Sequence, residues 1–430
     1  MRYVIVGGGA AGMSAVSAIR ALDREGRIEL VQDEDPLAYS RPTLFDVVAG
    51  RREIDSLRTA GSDWPERLGV TVWKGWRAAE LRPAERVLVT VPAGAERRGT
   101  WSRLHLEYDR LLIATGARAR RVQLRAVERR RDDRVRVLRT LGHALAIREE
   151  LYRVRTAVIL GGGPLACKMA ETLAVMGKRV TMLVESGQLL SRMLHPEGAR
   201  LVQGLLEELG VTVRLGCGEV HVEQREAGRT TVRVQGETME ADFVFAAKGV
   251  IPATGWLEGS GVVLAPGGGV EVDHEQRTSC EGVFAAGDVA STPDAVRGMR
   301  VNHGNWVNAV LQGRVAAQAM VTGRSSSPGF TNWNVMVVCG YPVASMGLVR
   351  AEPSDEVVEI GGRKRYKRLV LRDGRLVGVQ LVGETVGAGV LRYRLALGCR
   401  VRPPDWSLLL QPALTGCGKG RPRYVPRTRR

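Results

Sequence analysis

The opening stretch Val4-Ile5-Val6, followed by Gly7-Gly8-Gly9-Ala10-Ala11-Gly12, decides the fold. A β-branched run that enters a glycine turn and continues into an apolar stretch to about Leu22 predicts strand, turn and helix. Gly7 permits the tight turn, Gly9 lets the backbone approach a pyrophosphate, and Gly12 lets the helix pack close to the strand. The helix N-terminus then faces the phosphates of a bound dinucleotide.

The second predicted strand, Arg27 to Val31, leads into Gln32-Asp33-Glu34. A ribose-binding acid belongs about 20 residues after such a glycine turn. Gln32 stands where an acid is more usual, so Asp33 is predicted to take that role.

The same unit recurs about 154 residues later. The strand Ala157 to Leu160 enters Gly161-Gly162-Gly163-Pro164-Leu165-Ala166, a helix continues to about Met176, and a second strand runs from Arg179 to Glu185. Ala166 is an accepted variant of the third glycine. Glu185 ends its strand with no Arg among the next six residues, which favours a ribose diol over a 2′-phosphate, and so NADH over NADPH. Either turn alone is compatible with a plain strand-to-helix loop, whereas two turns with acidic strand ends indicate nucleotide binding.

The positive charge of the chain is local. The sequence has 63 Lys and Arg against 46 Asp and Glu, a net charge of +17. Residues 118–139 hold ten Arg and three acids, and residues 417–430 hold six basic residues and no acid. The alternatives are a solvated linker and tail or a docking surface for an acidic protein. Nucleic acid is not expected as a partner, because no basic motif interleaved with aromatic residues accompanies these runs.

Composition also restricts location and metal chemistry. No stretch approaches the roughly 18 uncharged apolar residues of a membrane helix, and a strand begins too early for a secretory signal, so we expect a soluble cytoplasmic protein without a membrane span. The six cysteines lie at least 18 positions apart and the six histidines are scattered, so no metal site is expected.

Two further segments, Tyr108 to Ala117 and Thr278 to Asp288, complete the pattern. In this order around two glycine turns, they resemble the flavoproteins with two dinucleotide-binding domains, the pyridine nucleotide-disulfide oxidoreductase superfamily, over about residues 1–400. The resemblance implies FAD at the first turn, with Asp288 on the flavin side, and NADH at the second. The segment Ala38 to Leu44 is similar to the flavin-contacting loop of NADH:rubredoxin reductases and of assimilatory nitrite reductase flavin domains. It implies that Arg41 lies by the FAD phosphates or adenine.

The predicted fold is therefore α/β, with two Rossmann-like domains for FAD and NAD and a small C-terminal α+β interface domain. The latter is expected to contain strands at Val335–Val338, Tyr366–Leu371 and Leu376–Leu381, an Asp373-Gly374 turn and a helix at Val390–Leu397. The predicted boundaries are 1–117 and 250–325 for the discontinuous FAD domain, 118–139 for a basic linker, 140–249 for the NAD domain, 326–403 for the interface domain and 404–430 for a basic tail.

The motifs and the resemblance together nominate binding residues and no catalytic acid, base or nucleophile. For FAD the candidates are Gly7, Gly9, Ala10, Ala11, Gly12, Gln32, Asp33, Arg41, Pro42, Ala114, Thr115, Gly116, Gly287, Asp288, Trp306 and Asn308. For NAD they are Gly161, Gly163, Pro164, Leu165, Ala166, Glu185 and Gly249. In the resembled family the N-terminus of such a helix points at the flavin pyrimidine, which implies that a helix within Asn302–Met320 directs Trp306 and Asn308 there. Plain packing of Trp306 is the alternative.

Two departures from the resembled family bear on the chemistry. Disulfide reductases carry a cysteine beside the flavin, but no Cys precedes Cys167 here, and Pro42 occupies that place. Relatives also pair a Glu with a Lys beside the flavin, whereas this chain has Lys168 and Asp46 at the matching places. We predict an inverted Asp46–Lys168 ion pair. The alternative is that Lys168 extends along its helix to solvent.

The predicted function is an FAD-dependent NADH:acceptor oxidoreductase. Hydride passes from NADH to the flavin and electrons leave to a protein partner, because no disulfide relay is available. The expected acceptor is an acidic rubredoxin- or ferredoxin-like protein, or an iron–sulfur subunit of a hetero-oligomeric complex. The chain is similar in this respect to the flavin subunits of phenylglyoxylate and aldehyde oxidoreductase complexes. The alternatives are a stand-alone NADH oxidase or quinone reductase, and a non-catalytic structural subunit.

Overall fold

The computed structural model describes residues 1–34, 38–95, 102–120, 135–224, 230–327, 329–401 and 423–425. The chain forms two compact units. Unit 1 comprises Met1–Pro42, Ile54–Arg118 and Val250–Thr331, and unit 2 comprises Thr43–Glu53, Ala119–Gly249 and Asn332–Arg430. Residues 121–134 of the predicted basic linker lie outside the described residues, as does the predicted tail apart from the backbone of 423–425.

Unit 1 is built on a five-stranded parallel sheet. Its order is β19-β7-β1-β2-β3, with β1 (Arg2–Val6), β2 (Arg27–Gln32), β3 (Val70–Lys74), β7 (Arg110–Ile113) and β19 (Val283–Ala285). Buried valine, isoleucine and leucine dominate the inner strands, as expected when both faces of a parallel sheet are covered. Because β1 is central, the turn that follows it opens at the middle of the carboxyl edge.

Two helices cover one face of this sheet, α1 (Ala10–Leu22) and α7 (Trp306–Thr322). The Asn305 side chain caps α7 by accepting the Asn308 backbone N–H at 2.9 Å, so this helix begins at Trp306, inside the predicted segment Asn302–Met320. Gly313 lies directly against the Ala11 backbone, which allows the two helices to approach closely. None of the described helices combines the length and the apolar character needed to cross a membrane.

The remaining elements of unit 1 are short. They are α3 (Trp64–Arg67), an antiparallel sheet of β4 (Trp76–Arg82), β5 (Val87–Pro92) and β6 (Leu104–Glu107), and a sheet of β18 (Val270–Glu271), β20 (Ala290–Pro293) and β21 (Arg300–Val301). A two-stranded sheet pairs β8 (Ala117–Ala119) with β17 (Val250–Pro252), where the chain leaves unit 1 and returns to it.

Unit 2 contains a second five-stranded parallel sheet, in the order β12-β11-β10-β16-β9. Its strands are β9 (Val135–Arg136), β10 (Thr156–Leu160), β11 (Arg179–Leu183), β12 (Thr212–Arg214) and β16 (Phe243–Ala246). The strand predicted to reach Glu185 ends at Leu183. The same unit holds α2 (Leu44–Val48), α4 (Leu141–Glu150), α5 (Pro164–Val175) and the antiparallel β13 (Val220–Gln224), β14 (Thr230–Val234) and β15 (Glu237–Ala241).

The C-terminal part of unit 2 is a six-stranded antiparallel sheet in the order β22-β23-β26-β25-β24-β27. Its members are β22 (Trp333–Val338), β23 (Tyr341–Gly347), β24 (Glu356–Gly362), β25 (Arg365–Arg372), β26 (Arg375–Val382) and β27 (Arg423–Val425). Helix α8 (Ala388–Ala396) follows β26, and helix α6 (Pro196–Glu208) lies between β11 and β12 in the chain. The three predicted strands, the hairpin at Asp373-Gly374 and the final helix are confirmed. β23 and β24 were not predicted.

Candidate functional site

The first glycine turn has the geometry that a dinucleotide pyrophosphate requires. Gly7 has a φ of +108°, and a Cβ there would overlap the Ala114 carbonyl oxygen. A Cβ at Gly12 would overlap the Gly7 carbonyl oxygen, so this glycine sets the close contact between helix and turn. Beside Gly9, by contrast, no atom of the described residues lies within 4 Å of the Cβ position. The open side of Gly9, next to the α1 N-terminus, therefore fits a phosphate.

The end of β2 is organised around Glu34, which the sequence analysis did not single out. Glu34 Oε1 lies 2.6 Å from an Arg41 guanidinium nitrogen, and Oε2 accepts the Tyr39 hydroxyl at 2.6 Å. Gln32 is buried and donates from its amide to the Glu34 carbonyl oxygen, while Asp33 is exposed. The Glu34 carboxylate thus holds two side chains of the loop implied to touch the flavin, and Asp33 remains the candidate acid for ribose.

The other segments that resemble flavin-contacting parts reach the same sheet edge. β7 leads into Ala114 and Thr115, and β19 leads into Gly287 and Asp288, with β7 lying between β19 and β1. Thr115 Oγ1 donates to the Ala253 carbonyl oxygen at 3.0 Å, and the Gly287 N–H donates to Gln312 Oε1 at 2.7 Å. Sheet order therefore brings these segments beside the first glycine turn.

A cavity of about 480 Å³ extends from this turn to the start of α7. Gly9 and Ala10 line it, together with Trp306 and Arg314 of α7. Asn308, the second candidate on α7, is buried, and its side-chain amide donates to the Thr331 carbonyl oxygen at 2.8 Å. Trp306 therefore faces the cavity, whereas the Asn308 side chain is engaged in holding the chain that follows α7.

The second glycine turn repeats the first. Gly161 has a φ of +127°, and a Cβ there would lie 2.6 Å from the Ala247 carbonyl oxygen. The space beside Gly163 is open among the described residues, and α5 begins at Pro164. Ala166 is fully buried, consistent with a small residue at the contact between helix and strand. Glu185 lies beyond the end of β11, where its Oε2 is 3.1 Å from Lys248 Nζ.

The structure contradicts the predicted Asp46–Lys168 ion pair. Asp46 binds Arg51 at 3.0 Å and Arg52 at 3.4 Å, and its backbone carbonyl accepts the N–H groups of both arginines. Lys168 Nζ lies 2.9 Å from Glu171, one helical turn away, and donates to the Val337 carbonyl oxygen at 3.0 Å. Each charge has an opposite charge close to it in sequence, the two arginines for Asp46 and Glu171 at i,i+3 for Lys168, so neither needs a distant partner.

The described cysteines are free thiols: Cys167, Cys217, Cys280, Cys339 and Cys399. Burial raises the pKa of Cys167, on α5, to about 12, and burial also raises the pKa of Cys339 to about 11. Both thiols are protonated at neutral pH and are poor nucleophiles.

Comparison with known proteins places this geometry in a family. Residues 1–313 match Pyridine nucleotide-disulphide oxidoreductase, and residues 333–392 match the Rubredoxin NAD+ reductase C-terminal domain. The chain is 33% identical to the biphenyl dioxygenase system ferredoxin–NAD(+) reductase component of Paraburkholderia xenovorans, over 85% of each chain. It is 30% identical to the NADH-dependent phenylglyoxylate dehydrogenase subunit epsilon of Aromatoleum evansii, over 96% of each. The structure of an NAD-dependent persulfide reductase from A. fulgidus superposes with a TM-score of 0.82 and 27% identity, covering 93% of this chain and 77% of that one.

The chain therefore belongs to the pyridine nucleotide-disulphide oxidoreductase family. It is an FAD-dependent oxidoreductase that uses NADH. The resemblance drawn from the glycine turns and the Thr278 to Asp288 segment is confirmed, as is the α/β fold class.

Proposed function

We propose that this chain carries electrons from NADH through FAD to a protein acceptor with an iron–sulfur or rubredoxin-type iron centre. The observation that carries the proposal is the lack of a thiol relay. No Cys precedes Cys167 in the sequence, and the Cys167 thiol is buried with a pKa raised by that burial. Because residues 1–166 contain no cysteine, no thiol of that segment can take electrons from the flavin, and they leave directly to an acceptor.

The two relatives named above support a protein acceptor rather than a small molecule. One is the reductase for a ferredoxin in a dioxygenase system, and the other is a subunit of a dehydrogenase. The C-terminal module shares its family with rubredoxin reductases. Of the net charge of +17, the segments 118–139 and 417–430 carry +13, which suits an acidic acceptor.

The described residues would divide the cofactors between the two glycine turns. Gly7, Gly9 and the N–H groups at the start of α1 would hold the FAD pyrophosphate. The capped N-terminus of α7, with its partial positive charge, would lie toward the flavin, beside Trp306. When bound, FAD accepts two electrons as a hydride and can release them one at a time.

At the second turn, Gly161 and Gly163 would admit the NADH pyrophosphate, and Glu185 would accept the ribose hydroxyls. The proton that remains when the two electrons leave passes to solvent, so the scheme assigns no residue to acid or base chemistry. The protein contributes position and electrostatics, and the reaction depends on binding residues.

The free state of the five described cysteines suits a reducing compartment, so we place the reaction in the cytoplasm. Separating the native cells into cytoplasmic, membrane and exported fractions, followed by immunodetection, tests this placement.

The decisive experiment is anaerobic rapid mixing of the flavin-loaded protein. NADH should bleach the flavin absorbance, and a small [2Fe–2S] ferredoxin or a rubredoxin should restore it faster than oxygen or a quinone does. Protein treated with iodoacetamide should behave identically. Faster reoxidation by oxygen or quinone would identify a stand-alone oxidase or quinone reductase, and a protein that does not bind FAD would be a structural subunit.

A further inference from the structure

The Glu185–Lys248 ion pair lies at the edge of the unit 2 sheet where a dinucleotide would enter. β11 and β16 flank β10 on either side, and their registers place Leu183 and Ala246 level with Leu160. Glu185 and Lys248 each lie two residues further along. The pair therefore connects the two neighbours of β10 beside the turn that begins at Gly161.

A dinucleotide in this fold follows the same path, with its ribose at the acid that ends the second strand and its pyrophosphate at the glycine turn. In the structure, Lys248 Nζ lies 3.1 Å from Glu185 Oε2 and forms an ion pair with it. The ion pair therefore holds a carboxylate that the ribose diol needs, and places an ammonium group close to where two phosphate charges arrive.

The two side chains differ in how firmly they are placed. The Glu185 side chain is 70% exposed, so the ion pair is largely solvated and little free energy is lost when it separates. The Lys248 side chain is only 21% exposed, so its ammonium is more confined than the Glu185 carboxylate. Glu185 is therefore the freer of the two side chains to change partner.

We propose that Lys248 is a nucleotide-binding residue. When NADH binds, the Glu185–Lys248 ion pair separates, Glu185 turns to the ribose diol, and Lys248 turns to the pyrophosphate. The inference rests on the proposed assignment of the second glycine turn to NADH. Each charged group keeps a partner in the exchange. The Glu185 carboxylate accepts hydrogen bonds from two ribose hydroxyls, and the Lys248 ammonium contacts phosphate oxygens. Without Lys248, no positive charge of this ion pair would offset the repulsion between the Glu185 carboxylate and the pyrophosphate.

The test is calorimetric titration of the oxidised, FAD-loaded protein with NAD+ at low and high salt. We expect Lys248→Met to bind NAD+ about tenfold more weakly, because a charge-assisted hydrogen bond is lost, and with a smaller salt dependence. Lys248→Arg should restore both. Lys364→Met is the matched control, since Lys364 Nζ lies 3.0 Å from Glu208 in another exposed pair of the same unit, and should bind as the wild type does.

If Lys248→Met binds NAD+ with wild-type affinity and salt dependence, Lys248 is only a surface ion-pair partner and the inference fails. Loss of binding that Lys248→Arg does not restore also overturns it, since charge is then not what matters. A wild-type protein that does not bind NAD+ at all would instead refute the proposed function at its first step.

Discussion

Gly313 is a position in unit 1 where the packing leaves no room for a methyl group. It lies within α7, against the start of α1. A Cβ at this position would overlap the Ala11 carbonyl oxygen and lie 3.0 Å from the Ala11 carbonyl carbon and 3.1 Å from its Cα. All three atoms are backbone, so no side-chain rotation relieves the overlap. The Ser14 hydroxyl, which donates to the Val310 carbonyl oxygen at 2.9 Å, ties the same two helices together.

The size of the effect of Gly313→Ala follows from two opposing terms. Ordinary carbon contacts need about 3.5 Å, so α1 and α7 would have to separate by roughly 1 Å. Overpacking of this kind costs about 1–3 kcal/mol. Replacing a helical glycine by alanine returns about 0.5–1 kcal/mol. The net expectation is a destabilisation of about 1–2 kcal/mol, or a melting temperature lowered by roughly 2–8 °C.

Differential scanning calorimetry of the FAD-loaded protein measures this loss, and release of flavin fluorescence on heating reports on unit 1. Gly204→Ala provides the control, because Gly204 is also helical but has no atom of the described residues within 4 Å of its Cβ position. It should raise the melting temperature slightly. A Gly313→Ala protein as stable as the wild type, retaining its flavin to the same temperature, would show that α1 and α7 do not pack as the structure describes.

Three further predictions address specificity and ionisation. Glu185→Ser removes the carboxylate that repels a 2′-phosphate, so calorimetry should find the NADP+ to NAD+ affinity ratio raised about tenfold; an unchanged ratio would contradict the assigned role of Glu185. Hydrogen bonds from the Gly26 N–H and the Tyr3 hydroxyl lower the pKa of Asp23, so this carboxylate stabilises the fold above its unfolded pKa and ceases to do so as pH falls through the folded value. Asp23→Asn should therefore reduce stability at neutral pH, with the difference from wild type narrowing in acid; urea unfolding across that range checks the sign, and a gap that widens in acid would refute it. Because burial raises the pKa of Cys339 to about 11, its alkylation by iodoacetamide, followed by mass spectrometry, should accelerate about tenfold per pH unit up to about pH 10. A plateau near neutral pH would mean that the thiol is less buried than described.

The amino-acid sequence by itself determined the two glycine turns and the elements that flank them. Each turn needs a positive φ, which Gly7 and Gly161 supply, between a buried β-branched strand and an apolar helix. All three features depend on residues that are adjacent in the sequence, so they can be predicted from it. The Asp373-Gly374 hairpin was predictable for the same reason, since turn chemistry is a matter of neighbouring residues. β23 was not predicted, because its burial depends on its place in the sheet between β22 and β26.

Some charges meet locally: Lys168 binds Glu171, three residues along α5, and Asp46 binds Arg51 and Arg52. Only the tertiary structure decided the Glu185–Lys248 pair. Lys248 reaches Glu185 across 63 positions of sequence because β11 and β16 both neighbour β10. Strand order in a sheet arises from long-range packing, so the local sequence does not encode an ion pair between two strand ends that this packing brings within about 4 Å of each other.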